Sequence, residues 1–303
     1  MKKLFFIPFL FLFQLSFAQK FYVGLDGAYM IPVVPDVVGV IYNNQSTNIS
    51  SSGGSSSVSL RNYDAVKGSY TSGISTGGFL GYYLNENISF EAGISYLFAN
   101  EVSYSSNHSY ISISSFGSTT NITDNIDYKV KLKLINVYPA VKFSLPNKFV
   151  TTFIRTGFLY GISSMTQDIT EIQTGSTNQT NDDSRLTTLN SYGIFNSIGI
   201  EKKFAEHFKI FAEWTFRYQT FSPIKDSYTK SNINGVDQLP TMTVSQKETE
   251  YVDSYSTSSS SSGPTVDPNQ PRKSIAYKQT FNSMGLQVGI IYEFGFKKAP
   301  VTK

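Results

Sequence analysis

Two histidines, no cysteine and a set of charges in regular positions are all the reactive chemistry this 303-residue chain offers. Without Cys there is no disulfide framework, no thiolate metal site and no thiol nucleophile. His108 stands in a Ser/Tyr-rich stretch and His207 in a turn. A histidine acts as a general base when a Ser or Asp stands beside it, and in a membrane enzyme that pair faces an apolar groove. Neither histidine has that setting. For His108, a solvated loop residue is preferred over a catalytic one working with a loop Ser or Asp. Asp182 and Asp183 could hold calcium, but solvated loop charge is the simpler reading. Gly77-Gly78 with Gly81 imitates a phosphate loop, yet it lies inside a strand pattern and no helix follows. The sequons at Asn48, Asn107, Asn121 and Asn178 are expected by chance in Asn/Ser/Thr-rich stretches. No catalytic, cofactor-binding or metal-ligating residue is assigned.

Elements that could position such residues follow from composition and pattern. Only 16% of the chain is charged while 15% is aromatic, 24 Phe, 20 Tyr and 1 Trp, and the mean hydropathy is −0.16. That value is too polar for a bundle of transmembrane helices. Residues 1–18 carry Lys2 and Lys3, an apolar run from Leu4 to Phe13, and Ser16 and Ala18 as the small residues a signal peptidase accepts. This is the pattern of a Sec signal peptide cut between Ala18 and Gln19. A membrane anchor would need roughly 20 apolar residues, and Gln14 interrupts the run. Removing the two lysines leaves a net charge of +1 in place of +3, so no nucleic-acid surface is implied.

From Lys20 onward, apolar residues recur at every second position, the period of a β-strand. Phe21, Val23, Leu25, Tyr29 and Ile31 share one parity, while Gly24, Asp26 and Ala28 share the other. The same alternation places Ile74 to Leu84, Ile88 to Phe98, Ile135 to Phe143, Val150 to Ile162, Ile194 to Ile200, Phe208 to Tyr218 and Leu286 to Phe294 on strands. Eight strands result. Their connections alternate in length. Asn85-Glu86-Asn87, Pro146-Asn147-Lys148 and Ala205-Glu206-His207 are tight turns. The other connections run over 34–72, 105–123, 166–188 and 222–275, are rich in Ser, Thr, Asn and Gly, and include the tract 258–262. Short/long alternation predicts an all-β, eight-stranded, antiparallel up-and-down transmembrane barrel, with short periplasmic turns and four long extracellular loops. Because the loops hold little apolar content, they are expected to stay mobile.

The barrel assigns roles to the remaining residues. Tyr29, Tyr82, Tyr96, Phe143, Phe208, Trp214, Tyr218, Tyr292 and Phe294 lie on the outward parity and are expected at the water–lipid boundaries. Lys129, Lys131 and Lys133 share the outward parity of Ile135. Either a bulge near Leu134 flips the face, or this stretch stands above the hydrocarbon; the second is preferred, and both make the lysines extracellular. Inward charges Asp26, Glu91, Lys142, Arg155, Glu201, Glu213 and Glu293 are expected in one layer near the short turns, flanked by Lys209 and Arg217. The interior of an eight-stranded barrel is just wide enough for side chains to fill. A salt-bridged, water-containing plug with no open channel follows.

The chain resembles small outer-membrane β-barrels of the OmpA/OmpX type, in particular the porin-family or outer-membrane β-barrel domain proteins of Bacteroidetes. Phe21-Tyr22-Val23-Gly24, the run Gly77-Gly78-Phe79-Leu80-Gly81-Tyr82-Tyr83-Leu84, the run Tyr138-Pro139-Ala140-Val141-Lys142-Phe143 and the closing Val288-Gly289-Ile290-Ile291-Tyr292-Glu293-Phe294 carry the resemblance. It implies an integral protein of a Gram-negative outer membrane, spanning 19–296, inserted by the barrel assembly machinery that recognises the last strand. The chain departs from the family by running on through a short basic tail, 297–303, and by the length of its outer connections. No peptidoglycan-binding domain follows the barrel, so the anchoring role of longer relatives is not carried over. The expected function is non-enzymatic: envelope structure or extracellular interaction through the loops. Outer-membrane lipid, lipopolysaccharide and an envelope or extracellular protein are the expected contacts, with no cofactor and no nucleic acid. A narrow porin for small solutes and an outer-membrane lipid-modifying enzyme are the alternatives.

Overall fold

The computed structural model describes residues 21–33, 36–51, 54–113, 119–174, 179–256, 259–260, 263–264 and 267–294. The segment 1–18 expected to be a signal peptide, with its expected cut between Ala18 and Gln19, the tail 297–303, Asn178 and part of the serine tract lie outside the described residues. Eight strands form a ring: β1 (Phe21–Pro32), β2 (Gly73–Tyr83), β3 (Ile88–Ala99), β4 (Thr119–Pro146), β5 (Thr151–Thr174), β6 (Gln179–Lys203), β7 (Phe208–Ile233) and β8 (Gln279–Glu293). Each pairs antiparallel with the one before it, and β8 pairs with β1 to close the ring. Following paired residues around it leads from Phe21 through Tyr82, Phe90, Val141, Thr156, Asn196, Phe216 and Met284 to Ile31, ten residues up the starting strand. At about 3.3 Å per residue and 4.8 Å between strands, that stagger tilts the strands by roughly 40° and gives a backbone radius of about 8 Å.

Alternation along each strand sorts side chains to the two faces of the wall. In β1, Tyr22, Gly24, Asp26, Ala28 and Met30 are buried and the residues between them face out. The inward parity holds more than glycine and charge. Six inward rings each stand directly opposite a glycine in the register: Tyr22 at Gly81, Phe79 at Gly24, Tyr138 at Gly93, Phe153 at Gly199, Phe195 at Gly157 and Phe211 at Gly289. A Cβ added at any of these glycines would overlap the ring lying across it. The glycines are therefore the space into which a narrow barrel folds its aromatic filling.

Four ring strands, 24 to 28 residues long, run far beyond the others. The expected long loops are here largely strand. β4 and β5 stay paired to Thr123 and Thr174, β5 and β6 to Gln173 and Gln179, and β6 and β7 to Asn181 and Ile233. Where β3 stops at Ala99, the strand Val102–Ile113 takes its place on β4, and the hairpin Asp36–Ser51/Gly54–Gly68 adds to it, joined by a parallel pairing. Polar Thr- and Asn-rich chain cannot build a core, but it can continue a ladder whose register the ring has already set. That mechanism replaces the expected mobility with an external sheet. The ladders on both sides of β4 pass Leu134 without a register shift, and Lys129, Lys131 and Lys133 remain exposed. No bulge flips the face; Lys129 and Lys131 stand on the extension beyond the end of β3, and Lys133 stands near that end, opposite Phe98.

Candidate functional site

Seven of the nine charges assigned to the lumen are joined there in ion pairs. They form two tiers, where a single layer is expected from the sequence. At the short-turn end Lys142 pairs with Glu201, and Lys209 Nζ lies 3.0 Å from both Glu201 Oε1 and Glu293 Oε1. Tyr83 closes this tier, its hydroxyl donating to Glu293 Oε1 at 2.9 Å and accepting from Lys209 at 3.1 Å. Deeper in, Arg155 is the hub. Its Nε stands 2.7 Å from Glu91 Oε2 and its Nη1 3.0 Å from Glu213 Oε1. Tyr22 donates to Glu91 at 2.6 Å and Ser197 to Glu213 at 2.9 Å. The guanidinium is 1% exposed and lies 4.8 Å from the Phe79 ring centre, with Phe153 and Phe211 beyond it. Cation–π contact adds to the ion pairs in a site closed to water. The tiers separate because Glu201, Lys209 and Glu293 sit at the very strand ends while Glu91, Arg155 and Glu213 sit several residues in.

Asp26 and Arg217 stand apart from both tiers. Arg217 Nη1 donates to Ser75 Oγ at 3.5 Å, and Asp26 Oδ2 has no hydrogen-bond partner among the described residues. Above them Gln219 donates to Asn136 at 2.8 Å and to Ser191 at 3.4 Å, and around this polar set the lumen gains an apolar filling that the pattern of polar and small inward residues conceals. Met30, Leu97, Val130, Leu132, Leu134, Leu189, Phe221 and Phe281 form one buried cluster. Tyr70 covers it, its ring 5.5 Å from Phe281. Salt bridges, inward rings and this cluster together fill the interior along its length.

Outside, the wall is an apolar band bounded by two girdles. Phe21, Tyr82, Phe143, Phe208, Tyr292 and Phe294 ring the short-turn end, with Phe21 on Tyr82 at 5.1 Å and Phe208 on Tyr292 at 5.1 Å. Tyr29, Tyr96, Tyr160, Tyr192 and Tyr218 ring the other end. At this tilt and rise, Phe208 and Tyr218 on β7 lie roughly 25 Å apart along the axis. Trp214 corrects its assignment to a boundary: paired with Ile198 and Leu286, it sits between the girdles. Leu25, Ile94 and Ile290 fill the same band and are more than half exposed.

The histidines occupy different settings. His108 lies on the strand Val102–Ile113 opposite Asp124, its ring 6.2 Å from that of Tyr42. His207 Nδ1 donates to the Glu293 carbonyl at 3.1 Å in the turn before β7. Gly77 and Gly78 lie within β2. No group of His, Asp and Glu among the described residues could hold a metal ion, and Asp182 and Asp183 lie on β6 opposite Asn232 and Ser231. Beyond the ring, burial raises the Tyr251 and Tyr277 hydroxyls above the ordinary phenol range, helped in Tyr277 by the charge of Asp226 and in Tyr251 by Tyr277 and Asp226, so both stay neutral donors.

No family model matches the sequence, and no curated protein matches it. Among solved structures the fold is similar to the crystal structure of Neisserial surface protein A, at 11% identity and a TM-score of 0.35, over 90% of this chain and 97% of that one.

Proposed function

We propose that this chain is an integral β-barrel of a Gram-negative outer membrane, exported through its N-terminal signal, with the short turns in the periplasm and the external sheet outside the cell. It acts there without enzymatic chemistry, as an envelope or interaction protein whose lumen is closed. The observation that carries this reading is the outer wall. A band of exposed Leu, Ile, Val and Phe between two aromatic girdles would be an extreme patch in water, and its roughly 25 Å height matches the hydrocarbon band of an outer-membrane barrel. Closing the ring leaves no strand edge inside that band, as a bilayer requires. The two ion-pair tiers and the apolar cluster above them support a closed lumen over a solute path. The test is gel mobility of unboiled and boiled protein from fractionated cells, joined to planar-bilayer recording. The reading expects membrane-bound protein that migrates differently after boiling and shows no steady large conductance. Soluble periplasmic protein of unchanged mobility overturns the barrel, and steady large conductance overturns the closed lumen.

A further inference from the structure

The excursion from β7 to β8 is built. Strand Glu248–Val252 pairs antiparallel with β7 around Asp226, and Arg272–Ile275 pairs parallel with it. A 3-10 turn, Leu239–Thr241, and a short helix, Val244–Lys247, complete the structure. Between these elements and the outer ends of β6 and β7 lies a cavity of about 670 Å³. Its size is that of a small-ligand site.

Three cations line it, Arg185, Lys247 and Arg272, against one acid, Asp226. Arg185 and Asp226 are committed to each other, Nη1 to Oδ2 at 3.8 Å, and Thr187 donates to Asp226 at 3.3 Å. The Arg185 guanidinium also stacks 4.2 Å over the Tyr228 ring and donates to its hydroxyl. Arg185 is thus held in place, and its pairing with Asp226 leaves the excess positive charge on Lys247 and Arg272. Neither of those two forms an ion pair among the described residues. The rest of the lining is the hydroxyl and amide groups of Ser245, Gln246, Thr249 and Ser274, the phenol of Tyr251 and one apolar side chain, Met242. Such a lining suits a molecule with many hydroxyls, one ring face and an oxyanion.

We infer that this cavity binds an anionic saccharide of one or two rings, its carboxylate or phosphate held by Lys247 and Arg272 and its hydroxyls by the surrounding Ser, Thr and Gln side chains. The site lies outside the ring, so the inference stands apart from the membrane placement. Digalacturonate, glucose 6-phosphate and maltose are titrated calorimetrically into the full chain folded in detergent micelles, with folding checked by gel mobility. Saturable binding of at least one acidic probe is expected, at least about tenfold tighter than maltose and weaker at high salt. Digalacturonate alone points to an acidic polysaccharide as the source, glucose 6-phosphate alone to a phosphorylated glycolipid headgroup, and binding of both to their shared chemistry. The K247A/R272A variant, whose side chains hold no structural ion pair, is expected to fold and to lose at least about tenfold in affinity. The inference is overturned if folded protein binds neither acidic probe below roughly 10 mM, if maltose binds as well as they do, or if K247A/R272A binds unchanged.

Discussion

Replacing Arg155 with Met removes the hub of the deeper tier. The side chain is 1% exposed and touches two carboxylates, Glu91 at 2.7 Å and Glu213 at 3.0 Å, both themselves almost fully buried. R155M keeps much of the volume among Phe79, Phe153 and Phe211 but leaves two like charges facing each other without a cation. Breaking a buried pair in this way costs on the order of 3–5 kcal/mol. That is about two to four decades in the unfolding constant. The assay is urea unfolding in phospholipid vesicles, followed by Trp214 fluorescence and by gel mobility. The triple variant E91Q/R155M/E213Q separates charge from packing: both amides still accept from Tyr22 and Ser197, and no net charge remains in the tier. It is expected to recover at least about half of the loss. A cost below about 1 kcal/mol for R155M, or a triple variant as unstable as the single one, would refute the claim that Arg155 compensates these carboxylates.

Two further outcomes follow. Gly93→Ala places a methyl group in the Tyr138 ring and is expected to cost about 1–3 kcal/mol; adding Tyr138→Ala makes room for that methyl, so in a double-mutant cycle Gly93→Ala costs much less in the Y138A background, and equal costs in both backgrounds would count against the ring-on-glycine filling. In intact cells, a membrane-impermeant amine reagent followed by mass spectrometry is expected to modify Lys129, Lys131 and Lys133, which are exposed, and to spare Lys142, which is 0% exposed. Modification of the three lysines only after the outer membrane is breached would invert the assigned orientation.

The ring was legible because each of its strands carries a sharp contrast between faces, as in Phe21, Val23 and Leu25 against Gly24 and Asp26. The extensions carry none. Over 166–174 each parity sets one Ile and one acid among polar Thr or Gln, so periodicity is silent and only pairing to neighbours already in register makes strand of them. The inward charges were identifiable from parity. Their division into tiers was not, because it depends on which long side chains meet across the lumen. The aromatic filling was hidden for a related reason: Tyr22 and Gly81, or Tyr138 and Gly93, look unrelated until the register sets them face to face. The outer cavity has no local signature at all, since it joins Arg185, Lys247 and Arg272 from three separate stretches.

The one tryptophan of the chain offers the most direct test of the central claim, that the apolar wall lies in a bilayer. Trp214 faces outward, 48% exposed, and sits between the two aromatic girdles. In vesicles with bromine placed at different depths of the acyl chain, the account predicts strongest quenching by bromine near the bilayer centre, weaker quenching by shallow bromine, and protection from iodide in water. Full quenching by iodide with no effect of brominated lipid would contradict it.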